Sequence, residues 1–201
     1  EIAISRQGQW LIGENLLDKL QEEKFDQLKP AVFLPSPQDP GIYAREDDKI
    51  VLHSPLDVVF PVMHGTYSED GTLQGLFELA DIAYVGAGVL GSAVCMDKGL
   101  FKDIMIANDI PTLPHKVFNR YMIENELETC LNTAETIGTY PLFTKPANLG
   151  SSVGISKCNN RSDLIEGLMF AAQYDRRVVI EKGINDAREI EVSILGNEYP
   201  T

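Results

Sequence analysis

Long apolar runs are missing from this chain of 201 residues. No segment approaches the ~20 consecutive apolar residues that a membrane helix needs. The opening residues, Glu1 to Trp10, lack a basic stretch followed by an apolar one, so no signal peptide is expected. Cysteine is scarce. Cys95, Cys130 and Cys158 are odd in number and far apart, which yields neither a disulfide framework nor a paired-cysteine metal site. A reducing, cytoplasmic setting is the expectation. Basic residues are outnumbered, with 17 Lys and Arg against 30 Asp and Glu and a formal net charge of −13. That balance argues against nucleic acid or an anionic membrane as a partner. It leaves room for a local basic site that takes a small anion. Internal repeats and low-complexity segments are also absent.

What remains is ordinary globular composition, 44% hydrophobic and 23% charged, in a length that suits one or two domains. Ile2 to Ile4, Gln9 to Ile12, Ala31 to Leu34 and Ile50 to Leu52 read as short strands, with a short helix over Asn15 to Phe25. Asp57 to Met63 (DVVFPVM) reads as a buried strand ending at His64-Gly65. Leu73, Leu76, Phe77 and Ala80 mark one face of a helix. Ile82 to Val85 is a strand, Gly86 to Gly91 a glycine-rich turn, and Ser92 to Asn108 a helix. This succession predicts an α/β amino-terminal domain with parallel pairing.

A boundary is expected between residues 95 and 112. Beyond it, strands are predicted at His115 to Phe118, Pro141 to Lys145, Val153 to Lys157, Arg177 to Glu181 and Glu189 to Leu195. Helix faces are carried by Ile123, Leu127, Leu131 and Ala134, and by Leu164, Leu168 and Ala171. The second half therefore reads as α+β, a mainly antiparallel sheet with helices on one face.

Two motifs promise more than their context supports. Gly86 to Gly91 fits GxGxxG between a strand and a helix, but the acidic residue at the required distance, Asp109, follows a helical pattern instead of ending a second strand. Gly150 to Gly154 fits GxSxG, but a strand pattern follows the serine where a nucleophile elbow needs a helix, and no histidine comes after His115. Asp97-Lys98-Gly99 lacks P-loop spacing. Lys98 nevertheless opens a helix beside a glycine-rich segment, where it is either a phosphate ligand or a solvated lysine.

The stretch Thr144 to Lys157, TKPANLGSSVGISK, is the most informative. It reads as a hairpin whose tip offers backbone N–H groups at Gly150, Ser151, Ser152 and Gly154 with little side-chain bulk. Such a tip can close over phosphate oxygens, with Lys145 adding charge; an ordinary tight hairpin is the plain alternative. Glu181 and Glu189 flank a turn-rich connector, and carboxylates there could accept from an adenine amino group and from ribose hydroxyls, or simply be solvated edge residues.

Taken in order, HGTYSEDGTLQGLFELADIAYVG, GSAVCMDKGLFK, PLFTKPANLGSSVGISK and EKGINDAREIEVSILGN closely resemble the D-alanine–D-alanine ligases of the ATP-grasp superfamily. The resemblance runs from Val59 onward. It implies an amino-terminal, substrate-side α/β domain over residues 1–96, a central ATP-grasp domain over 97–188, and the beginning of a carboxy-terminal domain over 189–201. It also implies an activity: ATP phosphorylates the carboxylate of one D-alanine, and the amine of a second displaces phosphate to give the dipeptide used in peptidoglycan. By resemblance, Lys98 and Lys145 contact ATP, Glu181 accepts from the adenine amino group with the Lys182 and Ile184 backbone nearby, and Glu189 holds the ribose. Gly150, Ser151, Ser152 and Val153 cover the phosphates. Ser151 and His64 are the expected catalytic residues, His64 beside the first D-alanine and the acyl phosphate.

Two departures stand out. Ser68 replaces a common glycine, so its turn is expected to be strained or reshaped, and Thr144 replaces an apolar residue. The resemblance further implies that an N-terminal strand and helix, and a C-terminal domain with the ligands of two Mg2+ ions, would lie outside Glu1 to Thr201. The 201 residues alone are then expected to hold no metal ligands and to be inactive. A homodimer is common in the family. Rival expectations are a D-alanine–D-lactate ligase, a nucleotide-binding module without chemistry, and a nicotinamide-cofactor protein built on Gly86 to Gly91.

Overall fold

A computed structural model describes all 201 residues. The chain divides into two units, Glu1–Asp97 and Lys98–Thr201. In the first, the alternating segments build a five-stranded sheet in sequential order: β1 (Ala3–Ile4), β2 (Trp10–Ile12), β3 (Lys29–Leu34), β4 (Gly41–Glu46) and β5 (Lys49–Pro55), each antiparallel to its neighbour. A short helix, α1 (Leu16–Gln21), links β2 to β3. Strand β4 carries no clean sequence signal, because Arg45 and Glu46 follow its apolar positions. Its Ile42 and Ala44 are buried all the same.

Parallel pairing is confined to β6 (Val58–Val59) and β7 (Ala83–Tyr84). Only two residues of the DVVFPVM run form a strand, and Phe60 and Val62 are exposed, so the run is not the buried strand expected. Pro61 has no N–H to give a ladder, which limits how far such a strand extends. The core lies beneath α2 (Thr72–Leu79). Leu73 and Phe77 from α2, with Ala80 and Ile82, pack on Ile12, Phe33 and Ile42. An aromatic chain runs through it: Trp10 stacks on Phe33 at 5.6 Å, Phe33 meets Phe77 edge-on at 5.8 Å, and Phe77 meets Tyr84 at 5.5 Å.

The helix expected over Ser92 to Asn108 is two helices, α3 (Val89–Met96) and α4 (Lys98–Ala107), broken where Asp97 turns extended at φ −79°, ψ 101°. Similarly, the face carried by Ile123 to Ala134 is split into α5 (Arg120–Asn125) and α6 (Leu127–Glu135) by Glu126 at φ −132°, ψ 39°. In the second case the helical periodicity survives the break because Ile123 of α5 and Leu131 and Ala134 of α6 join the same core.

In the second unit four strands lie in the order β10 (Ser156–Cys158), β9 (Leu142–Pro146), β11 (Arg177–Lys182), β8 (His115–Asn119), all antiparallel. One face packs on α5, α6 and α7 (Arg161–Tyr174). Leu164, Leu168 and Ala171 of α7 join Leu142, Val178 and Ile180 in a core that excludes water. Asn160 caps α7 by accepting from the Asp163 N–H at 3.0 Å, and Asn119 caps α5 by accepting from Met122 at 2.9 Å. Gly167 permits the contact between α7 and the sheet: a Cβ there would lie 2.6 Å from Thr144 Oγ1 and 2.9 Å from Cys158 Sγ. The strand expected over Glu189 to Leu195 does not form. Ile190, Val192, Ile194 and Leu195 are exposed, and no strand of the chain pairs with them. Alternation alone builds no strand without a partner for its backbone.

Candidate functional site

The second face of the β8–β11 sheet carries the charged groups. On β9, Leu142, Thr144 and Pro146 point into the helical core, so Phe143 and Lys145 point the other way. Glu181 of β11 lies opposite Phe143 of β9 and opposite His115 of β8, which places Phe143, Glu181 and His115 side by side and Lys145 on the diagonal. Lys145 donates to Glu181 Oε1 and sits 5.7 Å from the centre of the Phe143 ring.

A third charge comes from α4. Lys102 Nζ lies 2.9 Å from Glu181 Oε2, so one carboxylate bridges two ammonium groups. The Glu181 side chain is 8% exposed. Burial by itself would push its pKa up, but the hydrogen bonds and charges of Lys145 and Lys102 outweigh that and hold it below the usual glutamate value. The next α4 residue, Asp103, lies 3.2 Å from His115 Nε2. Lys98 opens α4 by donating its backbone N–H to the Ala147 carbonyl at 3.0 Å, and its ammonium reaches the carbonyls of Leu149 and Ala147. Helix α4 is therefore fixed against the base of the β9–β10 hairpin by Lys98 and against Glu181 by Lys102, one turn later on the same helix face.

The hairpin forms with Ser156 opposite Thr144, but its second strand begins at Ser156, and Val153 and Gly154 lie in the turn instead of in the strand expected. Its tip holds Ser151 at φ 50°, Ser152 at φ 59° and Gly154 at φ 73°. Gly154 is demanded by packing as well as by φ, since a Cβ there would lie 2.6 Å from Pro146 Cγ and 2.9 Å from Tyr174 Cδ2. Gly150, by contrast, has nothing within 4 Å of where a Cβ would stand. Gly150, Ser151, Ser152 and Val153 are all exposed. The leading side of the tip is steadied by Asn148, whose backbone and side-chain N–H groups both donate to Asp175 Oδ2, at 2.8 and 2.9 Å.

Three further expected ligands follow Glu181 along the chain. Lys182 ends β11 with its N–H donated to the Pro114 carbonyl at 3.0 Å, and Ile184 and Glu189 follow on exposed chain. His64 belongs to the first unit, where its side chain is 86% exposed and its Nδ1 is 3.7 Å from Glu69 Oε1. The turn after it is ordered by its own side chains. Glu69 accepts from the Gly65 N–H at 2.6 Å, and Asp70 accepts from Tyr67 at 2.8 Å and Thr72 at 3.0 Å. The positive φ values of that turn fall on Gly65, at 80°, and Tyr67, at 68°, and Ser68 takes none. No group of His, Cys, Asp and Glu side chains converges in a way that could hold a metal ion.

Two family models divide the chain between them. Residues 1–87 match the D-ala D-ala ligase N-terminus, and residues 104–201 match the D-ala D-ala ligase C-terminus. The chain belongs to the D-alanine–D-alanine ligase family. Relatives named D-alanine–D-alanine ligase from Heliobacterium modesticaldum and from Thermoanaerobacter sp. strain X514 are each 46% identical, over 98% and 99% of this chain. The chain spans about half the length of these relatives, 53% and 55%. Among solved structures, the D-alanine–D-alanine ligase of Coxiella burnetii is similar with a TM-score of 0.78 and 34% identity, covering 99% of this chain and 57% of that one. A D-Ala:D-Ser ligase from Enterococcus faecalis is similar with a TM-score of 0.77 and 34% identity, covering 92% and 52%. The mixed α/β architecture of the chain is that of these ligases.

Sequence reasoning missed Lys102. The signal was present in its spacing, four residues after Lys98 in GSAVCMDKGLFK, which puts both ammonium groups on one side of a helix. The Phe143 ring and the Asp103–His115 pair carried no comparable signal, because their place depends on strand register.

Proposed function

We propose that the chain is the amino-terminal and central part of an ATP-dependent ligase that joins two D-alanines through an acyl phosphate, for peptidoglycan synthesis in the cytoplasm. The observation that carries the nucleotide reading is the buried Glu181 carboxylate bridged by Lys145 and Lys102. A carboxylate kept ionised beneath a sheet surface can accept from an exocyclic amino group, and a lysine beside it can turn to phosphate. The exposed tip from Gly150 to Val153 offers backbone N–H groups with little bulk, which suits close approach to phosphate oxygens. In this reading Lys98 fixes the tip from below. The Lys182–Ile184 backbone flanks the adenine, and Glu189 reaches the ribose. Ser151 and His64 serve the D-alanine side.

Phosphoryl transfer rests on positioning and on neutralising charge. This chain's residues supply the base-side and tip groups. In this proposal the two Mg2+ ions such a ligase would use are held by residues outside this chain, and the 201 residues alone are expected not to ligate. The enzyme is proposed to act as a homodimer. The names of the 46%-identical relatives favour D-alanine over D-lactate as the second substrate. The 34% likeness to a D-Ala:D-Ser ligase makes D-serine the acceptor to test beside it.

The test is phosphate release from ATP by the full-length protein given D-alanine alone, or D-alanine with D-lactate or D-serine, with the products separated. Release with D-alanine alone and formation of the dipeptide are expected. Release only when D-lactate or D-serine is added would replace the assignment of the second substrate, and no release with any of them would overturn the reading.

A further inference from the structure

Lys145 has two claims on it. It is the partner of Glu181 Oε1, and in the nucleotide reading it also meets phosphate. A carboxylate as buried as Glu181 cannot be left without a cation cheaply, since an unpaired buried charge is costly. The second cation resolves the conflict. Lys102 occupies the other oxygen, Oε2, from a different element, and its side chain is 16% exposed against 23% for Lys145.

From this geometry we infer that Lys102 is a positioning residue for nucleotide recognition: it keeps Glu181 ionised and aimed, so that Lys145 is released to the phosphates and Oε1 is left to accept from the 6-amino group of adenine. The inference rests on the proposed nucleotide site and adds to it a residue that touches no ligand. Helix α4 is held for this task at both ends of the turn that carries Lys102, by Lys98 on the Ala147 and Leu149 carbonyls and by Asp103 on His115. Without Lys102, Lys145 stays with Glu181, Oε1 stays covered, and the 6-amino group and the phosphates each lose a partner.

The experiment compares wild type, Lys102→Met, Lys102→Arg and Glu181→Gln in the full-length enzyme. KM and kcat are measured for ATP and for inosine triphosphate, which carries a 6-oxo group in place of the amino group. Wild type is expected to prefer ATP. In Lys102→Met the KM for ATP rises about tenfold or more, as befits loss of a charge-assisted hydrogen bond. Its preference for ATP over inosine triphosphate collapses towards that of Glu181→Gln, while kcat at saturating ATP changes far less. Lys102→Arg restores both. A residue that served only to pack α4 would lower thermal stability and leave the base preference where it was. Should Lys102→Met be insoluble, Lys102→Gln carries the same test.

Retention of wild-type KM and base preference in Lys102→Met, alongside their loss in Glu181→Gln, would overturn the inference and spare the nucleotide site. An unchanged base preference in Glu181→Gln would overturn both.

Discussion

Lys145 and Glu181 meet across neighbouring strands because Glu181 stands opposite Phe143, two residues from Lys145 along β9. One step of register would turn Glu181 to the helical side of the sheet, where Val178 and Ile180 lie. The charge pair is therefore a product of the hairpin's alignment as much as of its residues.

That pair has a pH signature. The folded-state pKa of Glu181 is below its ordinary value of 4.5. Its contribution to stability is then fully present above 4.5 and is lost as pH falls through the lowered folded value. Asp70, held low by N–H groups of Tyr67 and Thr72 that outweigh its burial, acts in the same direction in the first unit. Urea denaturation as a function of pH should show wild type losing stability more steeply on acidification than Glu181→Gln. Parallel curves for the two proteins would contradict the ion pair.

Two glycines of the hairpin tip should answer differently to the same substitution. Gly154→Ala meets both a positive φ and the Pro146 and Tyr174 side chains, so a loss of about 1–3 kcal/mol in unfolding free energy is expected. Gly150→Ala meets open space and should leave stability almost unchanged. It should nevertheless weaken ATP binding if the tip's backbone approaches phosphate. Equilibrium denaturation and ATP titration of both variants separate packing from recognition.

The thiols should divide one against two. Cys95 is exposed, while Cys130 and Cys158 are buried. Burial pushes the Cys158 thiol up to about 11 and raises that of Cys130, where Glu126 adds to the effect. A thiolate-directed alkylating reagent at mildly alkaline pH should modify Cys95 in the native protein and reach the other two only after unfolding. Mass spectrometry of the digested protein reads the outcome. Rapid labelling of Cys158 in the folded protein would show that α7 does not cover it.

Much of this was legible in the sequence, for identifiable reasons. The hairpin was readable because small residues between two strand-like runs have few other uses. The core of the second unit was readable from Leu164, Leu168 and Ala171, whose spacing fits only a helix face. Strand β4 was hidden because Arg45 and Glu46 blur its alternation. The breaks at Asp97 and Glu126 were hidden because neither a proline nor a glycine marks them. Glu189 to Leu195 alternates without forming a strand, since alternation reports an amphipathic habit and not the neighbour that would pair with it. In the site, Lys145 and Glu181 stood out individually, but only strand register brings them together, and only helix α4 adds Lys102.

The measurement that tests the central claim most directly is photolabelling of the full-length protein with 8-azido-ATP, in competition with ATP and with NAD+, followed by mapping of the modified peptides. Label on the β9–β10 hairpin and the end of β11, removed by ATP and untouched by NAD+, is the predicted result. Label on the Gly86 to Gly91 turn, removed by NAD+, would contradict the account and move the nucleotide to the glycine motif that this structure leaves without a role.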